Sequence, residues 1–167
     1  GQAQAQAVAD HLQDNKNVAA IYASPLQRTR ETAAPISKAL GLKVQIDKGL
    51  FECDFGDWTG QDLAKLRKLP EWKAVQRNPS GFRFPNGESF SEMTTRMTTT
   101  VDRFRVLHPG KTVIAVSHAD PIKAIASVAL GVPLDLFQRI DVSPCSMTVI
   151  TYSTEGPLVH CVTRVAS

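Results

Sequence analysis

No apolar run in this chain of 167 residues comes near the ~18 consecutive residues a membrane helix needs. No signal-peptide pattern is visible, and a chain that starts at Gly1 leaves open what stands upstream. Cysteine is scarce. Cys53, Cys145 and Cys161 are odd in number and in no metal-ligand spacing, so a reducing cytoplasm is their simplest home. Neither a carboxylate cluster nor a Cys/His pattern offers a metal site, and nothing calls for a cofactor. There is no internal repeat, linker or low-complexity segment. The formal charge of +3 and pI near 8.9 suit an anionic substrate. They are too weak for nucleic acid, and no aromatic-interleaved basic patch accompanies them. What remains is the composition of an ordinary soluble protein, one domain over residues 1–167, large enough to bury a core.

The stretch that organises the rest is Val113-Ile114-Ala115-Val116-Ser117-His118-Ala119-Asp120-Pro121. The apolar run reads as a buried parallel strand and the residues after Pro121 as a helix to Leu130, closed by Gly131. Pro121 falls in the first turn, with Asp120 or Ser117 near the cap. His118 then stands where a strand ends and a helix begins, the place where open α/β sheets bind ligands and helix N-termini meet anions. A lone histidine there also fits a core or capping role. What favours a pocket is the agreement of other stretches.

Residues 2–13 read as a helix packed through Ala5, Val8 and Leu12. Val18 to Ala23 is a buried strand. Ser24, as N-cap, and Pro25 then open a helix to Leu40, ended by Gly41. Arg28 and Arg30 oppose that helix's dipole, which points to a bound anion or to plain exposure. Leu42 to Ile46 reads as a strand. The loop from Leu50 to Gly60 carries Glu52, Asp54 and Asp57 among aromatics. A carboxylate beside apolar rings acquires a raised pKa, as a general acid requires, but nothing local selects among the three. Residues 61–77 are helical around Pro70, and 78–87 form a loop. Ser89 and Glu92 fit a capping box for a helix that buries Met93, Met97, Val101, Phe104 and Leu107. A short helix is expected over 133–139, and strands over 140–142, 146–152 and 157–165, the last two joined by a turn.

Four of these pieces, in order, resemble the histidine phosphatase superfamily, and in particular its phosphoglycerate mutase-like branch of small phosphatases. They are Ser24-Pro25-Leu26-Gln27-Arg28 with Glu31-Thr32-Ala33, then Leu50-Phe51-Glu52 with Phe55 to Gly60, then Pro85 to Ser89, and Val116-Ser117-His118. The resemblance implies an α/β three-layer α/β/α sandwich with a mostly parallel central sheet. It also implies metal-independent phosphoryl transfer through a phosphohistidine. By position, Arg28 clamps the phosphoryl group, His118 stabilises its charge, and Glu52 protonates the leaving alkoxide and then activates water. The three should converge, with Arg28 and His118 within about 12 Å and Glu52 at the rim. Ser24 and Arg28 are carried over as substrate-binding. Residues 61–89 form a cap that sets specificity, with Trp58, Trp72 and Arg83 as candidates.

One motif departs. Family members begin with a strand ending in Arg-His-Gly, which supplies the nucleophilic histidine, and no Arg-His-Gly occurs here. His11, His108 and His160 read as surface or packing residues. The expectation is an upstream segment carrying the motif, with its strand between those preceding Ser24 and His118. The expected function is hydrolysis of a small phosphorylated metabolite, in the cytoplasm, with neither nucleic acid nor membrane as partner. Oligomeric state is not readable. Phosphoglycerate mutase is the alternative on the same fold, and a non-catalytic phosphate-binding or scaffold protein the alternative of another class.

Overall fold

Val18 to Ala23 is apolar on both faces, and in the computed structural model, which describes residues 1–166, it is the middle strand of a parallel sheet. This strand, β1 (Val18–Ala23), pairs with β2 (Val44–Ile46) on one side and β3 (Thr112–Val116) on the other. Its side chains alternate between two cores. Ile21 and Ala23 meet Val8 and Ala9 of α1 (Gln2–Leu12) and Ala33 and Ile36 of α2 (Gln27–Leu40). Ala20 and Tyr22 meet Met97 and Phe104 of α5 (Phe90–Leu107), with Ile125 of α6 (Ala119–Leu130) behind them. The result is the three-layer α/β/α sandwich. Tyr22 stacks on Phe104 at 4.0 Å between centroids, and its hydroxyl lies 2.8 Å from His108 Nε2.

Between β2 and α5 the chain builds a lobe of short elements, α3 (Leu63–Leu66) and α4 (Trp72–Arg77), over an aromatic core. Trp58, Phe82, Phe84, Phe90 and Phe137 pack there edge to face. The antiparallel pair β4 (Ser146–Ser153) and β5 (Gly156–Val165) rests against α6. Among the described residues no helix is long and apolar enough to cross a membrane.

Several expectations are corrected. β1 and β3 are directly hydrogen-bonded, Ile21 opposite Ile114 and Ala23 opposite Val116, so no strand lies between them. A further strand of this sheet can add only outside β2 or β3. The strand before His118 is half-buried rather than buried, with Ala115 exposed, because β3 is paired along one edge only among the described residues. Ser24 does not cap α2; that position belongs to Leu26. Pro25 holds Ser24 extended, and the helix starts two residues after the proline. α6 begins three residues ahead of Ile122 with His118 as N-cap, while the Ser117 hydroxyl donates to Leu50 O. Leu107 is exposed, whereas Thr100 joins the buried face of α5, its hydroxyl donating to Arg96 O at 2.8 Å. Ile140–Val142 is no strand; its backbone finds no ladder among the described residues.

One contact joins the aromatic lobe to the loop after β2. Asp57 N donates to Pro85 O and Glu88 N to Asp54 O, each at 2.9 Å. The two backbones approach so closely that a Cβ on Gly56, where φ is +50°, would sit 2.1 Å from Pro85 O. Gly60 also has positive φ but faces open space. Gly56→Ala should therefore cost about 2 kcal/mol or more, and Gly60→Ala only about 1 kcal/mol, in urea unfolding. Equal losses would show that the two loops are not in backbone contact.

Candidate active site

Parallel pairing sets the carboxyl ends of β1 and β3 side by side, and the ladder runs one residue further: Ser24 N donates to Val116 O at 3.0 Å. Ser24 is thereby held against His118, two residues beyond Val116. Their side chains meet at 2.8 Å, Ser24 Oγ to His118 Nε2. The other ring nitrogen, Nδ1, lies 2.9 Å from Arg28 Nη2. A guanidinium can only donate, so Nδ1 accepts and the ring proton sits on Nε2, directed at Ser24. That is the neutral tautomer. Burial, reinforced by the charges of Arg28 and Arg96, lowers the His118 pKa from 6.5 to about 4, so the ring stays uncharged at neutral pH.

Arg28 is the second residue of α2, and its side chain stays largely exposed. Arg30 is exposed as well, about 200° further round the helix. Glu52 Oε2 closes the group, 3.8 Å from Arg28 Nη2 and 3.9 Å from His118 Nδ1. Its pKa rises from 4.5 to about 7. Desolvation is the main cause and the nearby Asp120 carboxylate the next, against lowering by Cys53 N–H, Arg28 and Arg96. Arg28, Glu52 and His118 thus converge, and they combine an anion clamp with an acid half-protonated near pH 7.

Sequence reasoning gave no part to the residue that holds Glu52 in place. Arg96 of α5 donates to Gly49 O at 2.8 Å, Phe51 O at 2.9 Å and Glu52 O at 3.4 Å. It also forks onto Glu88, Nε to Oε1 at 2.9 Å and Nη2 to Oε2 at 2.8 Å. Glu88 in turn accepts from Asp54 N. A signal existed: Arg96 is three residues after Met93 and four before Thr100, on the stripe that α5 buries. A cation at such a position needs a partner.

The other candidates lie elsewhere. Ser24, expected among the substrate contacts, is fully buried and reaches the pocket only through His118. Trp58 is buried in the aromatic lobe and lines a cleft that also includes Asp120. Arg83 is exposed, bound to Gly87 O and paired with Glu92. Asp54 and Asp57 are exposed, accepting from Gly56 N and Asn86 Nδ2. His11 is exposed, His108 meets Tyr22, and His160 meets Thr151 at 2.7 Å. Cys53 is buried and its thiol pKa pushed up, mainly by desolvation, so it is no nucleophile. Among the described residues no three His, Cys, Asp or Glu side chains gather as a metal centre would need.

The family model of the histidine phosphatase superfamily (branch 1) matches residues 1–164. A bifunctional protein of Mycobacterium tuberculosis is 33% identical over 157 residues, 93% of this chain but 43% of that protein; the chain spans less than half the length of this relative. Phosphoserine phosphatase 1 of Hydrogenobacter thermophilus is 32% identical over 152 residues, 90% of this chain and 72% of that one. Among solved structures, YhfR of Bacillus stearothermophilus superposes with a TM-score of 0.91 at 24% identity, covering 99% of this chain and 83% of its own, a likeness of fold.

Glu52 and His118 titrate against each other. Glu52 holds its proton up to about 7 when folded and only to 4.5 otherwise, so its contribution to stability is full below 4.5 and lost as pH rises to 7. His118, at about 4 against 6.5, contributes fully above 6.5 and loses that as pH falls to 4. Between pH 4.5 and 6.5 the two oppose. Relative to wild type, Glu52→Gln should gain about 2–3 kcal/mol of stability as pH rises through that window, and His118→Asn should lose a similar amount. Urea unfolding at several pH values measures both. Parallel profiles for the three proteins would mean that neither group is buried as described.

Proposed function

The chain belongs to the histidine phosphatase superfamily, branch 1, and from that membership we propose that the protein is a phosphomonoesterase acting on a small phosphorylated metabolite. The observation that carries this reading is the convergence of Arg28, His118 and a Glu52 whose pKa is about 7. Phosphate esters need those three things: a fork for the phosphoryl oxygens, a polar wall without charge competition, and a proton for the departing alkoxide. The similarity to a protein named as a phosphoserine phosphatase supports hydrolysis as the reaction class. The cytoplasm is the proposed location, suited to three free thiols.

In the proposed reaction Arg28 binds the phosphoryl oxygens and turns them toward an imidazole. The P–O bond to the alcohol breaks as a P–N bond forms, and Glu52 gives its proton to the leaving oxygen. Glu52, now a carboxylate, takes a proton from water as that water attacks phosphorus and the P–N bond breaks. No metal takes part. His118 is not the acceptor, because both its nitrogens are engaged, one by Arg28 and one by Ser24. The acceptor is a further histidine on a strand outside β3, one of the two sheet edges unpaired among the described residues and the one whose carboxyl end leads to His118.

Two experiments on the full-length protein test this reading. Glu52→Gln should depress turnover of an alkyl phosphate about 10²-fold or more, and of nitrophenyl phosphate far less, since a phenolate needs little protonation. Equal losses would remove Glu52 as the proton donor. Brief exposure to labelled substrate in the presence of a chelator should leave acid-labile, base-stable phosphate on the protein, and His118→Asn should still carry it. Label that vanishes in the chelator, or in His118→Asn alone, would overturn the metal-free route or the assignment of the acceptor.

A further inference from the structure

Beside the Arg28–Glu52–His118 group lies a cleft of about 360 Å³ between the aromatic lobe and α6. That volume is at the small end of ligand sites, room for one or two rings. The indoles of Trp58 and Trp72 lie nearly parallel, 17° apart with centroids at 6.3 Å, and Leu63 stands half exposed in the same lining. Besides the two indole N–H groups, the polar side chains of the lining are the amides of Gln61, Gln76 and Gln138 and the carboxylate of Asp120. None of the lining side chains is cationic.

Lys65, Arg67, Lys68, Lys73 and Arg77 are exposed on or beside α3 and α4 but stand outside the lining, and three further cations are already engaged. Lys123 sits 3.6 Å from Asp120 Oδ1 and donates to Gln138 Oε1 at 3.1 Å; Arg83 holds Glu92, and Arg96 holds Glu88. The cleft adjoins the chemistry through two of its walls. Asp120 is two residues past His118 and acts electrostatically on Glu52, and Phe55 is three residues past Glu52. An ester whose phosphate is bound at Arg28 therefore has this cleft for its alcohol portion. A carboxylate placed there would meet Asp120 and leave water without a counter-ion, whereas a ring would be received by indoles.

We propose that the cleft selects phosphomonoesters of uncharged, ring-bearing alcohols and discriminates against esters that carry a carboxylate. The inference rests on the phosphomonoesterase reading for its substrates but makes its own claim about binding. In the full-length protein, kcat/KM for 2-phenylethyl phosphate should exceed that for 3-phosphoglycerate and for phosphoserine by ten-fold or more. All three are alkyl esters, so the comparison is one of binding rather than of leaving group. Trp72→Ala should lower that ratio about ten-fold, and Leu63→Lys, which places an ammonium at an exposed rim position, should lower it by raising turnover of 3-phosphoglycerate. A binding arm needs no turnover: 2-phenylethylphosphonate, titrated by indole fluorescence, should bind at least ten-fold more tightly than 3-phosphoglycerate. If the phosphonate binds so while no ester is hydrolysed, the cleft stands and the phosphomonoesterase reading falls. If esters are hydrolysed with 3-phosphoglycerate or phosphoserine equal or preferred, or if the phosphonate does not bind, the proposed selectivity is overturned.

Discussion

A guanidinium withdrawn from water has to be met on every side, and around Arg96 the molecule meets it with the loop that carries the acid. Three backbone carbonyls from the 49–52 segment and both oxygens of Glu88 converge on one side chain. Removing any of them leaves a half-buried charge short of partners, so the loop is held to one conformation rather than a family of them. Glu88 passes the constraint on through Asp54 N, and the Gly56 and Gly87 backbones seal the two loops together. Glu52 is thus delivered to the pocket by helix α5, whose Arg96 also adds its charge to the field felt by Glu52 and His118.

Delivery fixes position, and burial then sets charge. The same low-dielectric surroundings push Glu52 toward its protonated form and His118 toward its unprotonated one, so near pH 7 the group holds a neutral imidazole and an acid that is half protonated. Only Arg28 keeps its full charge, and it is the member most open to solvent. An incoming dianion therefore meets one cation and, wherever Glu52 holds its proton, no opposing charge from that acid, and the dianion's own negative charge favours the protonated form further.

Much of this could be read from the chain before the structure. β1 was legible to the residue because six apolar residues are bounded by polar turns, and the capping box at Ser89 and Glu92 is present in full. Arg28, Glu52 and His118 were named together through the family resemblance of their motifs, since nothing local singles out Glu52 from Asp54 and Asp57, and the structure brings the three side chains together. What stayed hidden was non-local. Nothing near Ser24 says that its hydroxyl faces an imidazole 94 residues away instead of capping its own helix. The direct pairing of β1 with β3 is likewise a matter of sheet order, on which periodicity is silent. The acid loop's anchorage was missed for the same reason, Arg96 and its carbonyl partners lying 44 to 47 residues apart.

The uneven exposure of the group separates two events that are usually read together. Arg28, with 63% of its side chain accessible, acts across water, whereas Glu52 at 21% and His118 at 3% act within protein. Mobile ions crowd the first region and are kept out of the second, with a screening length of about 8 Å at physiological ionic strength. Salt therefore loosens the capture of an anion at Arg28 while leaving the proton inventory of the buried pair nearly untouched. Ionic strength becomes a handle on encounter alone.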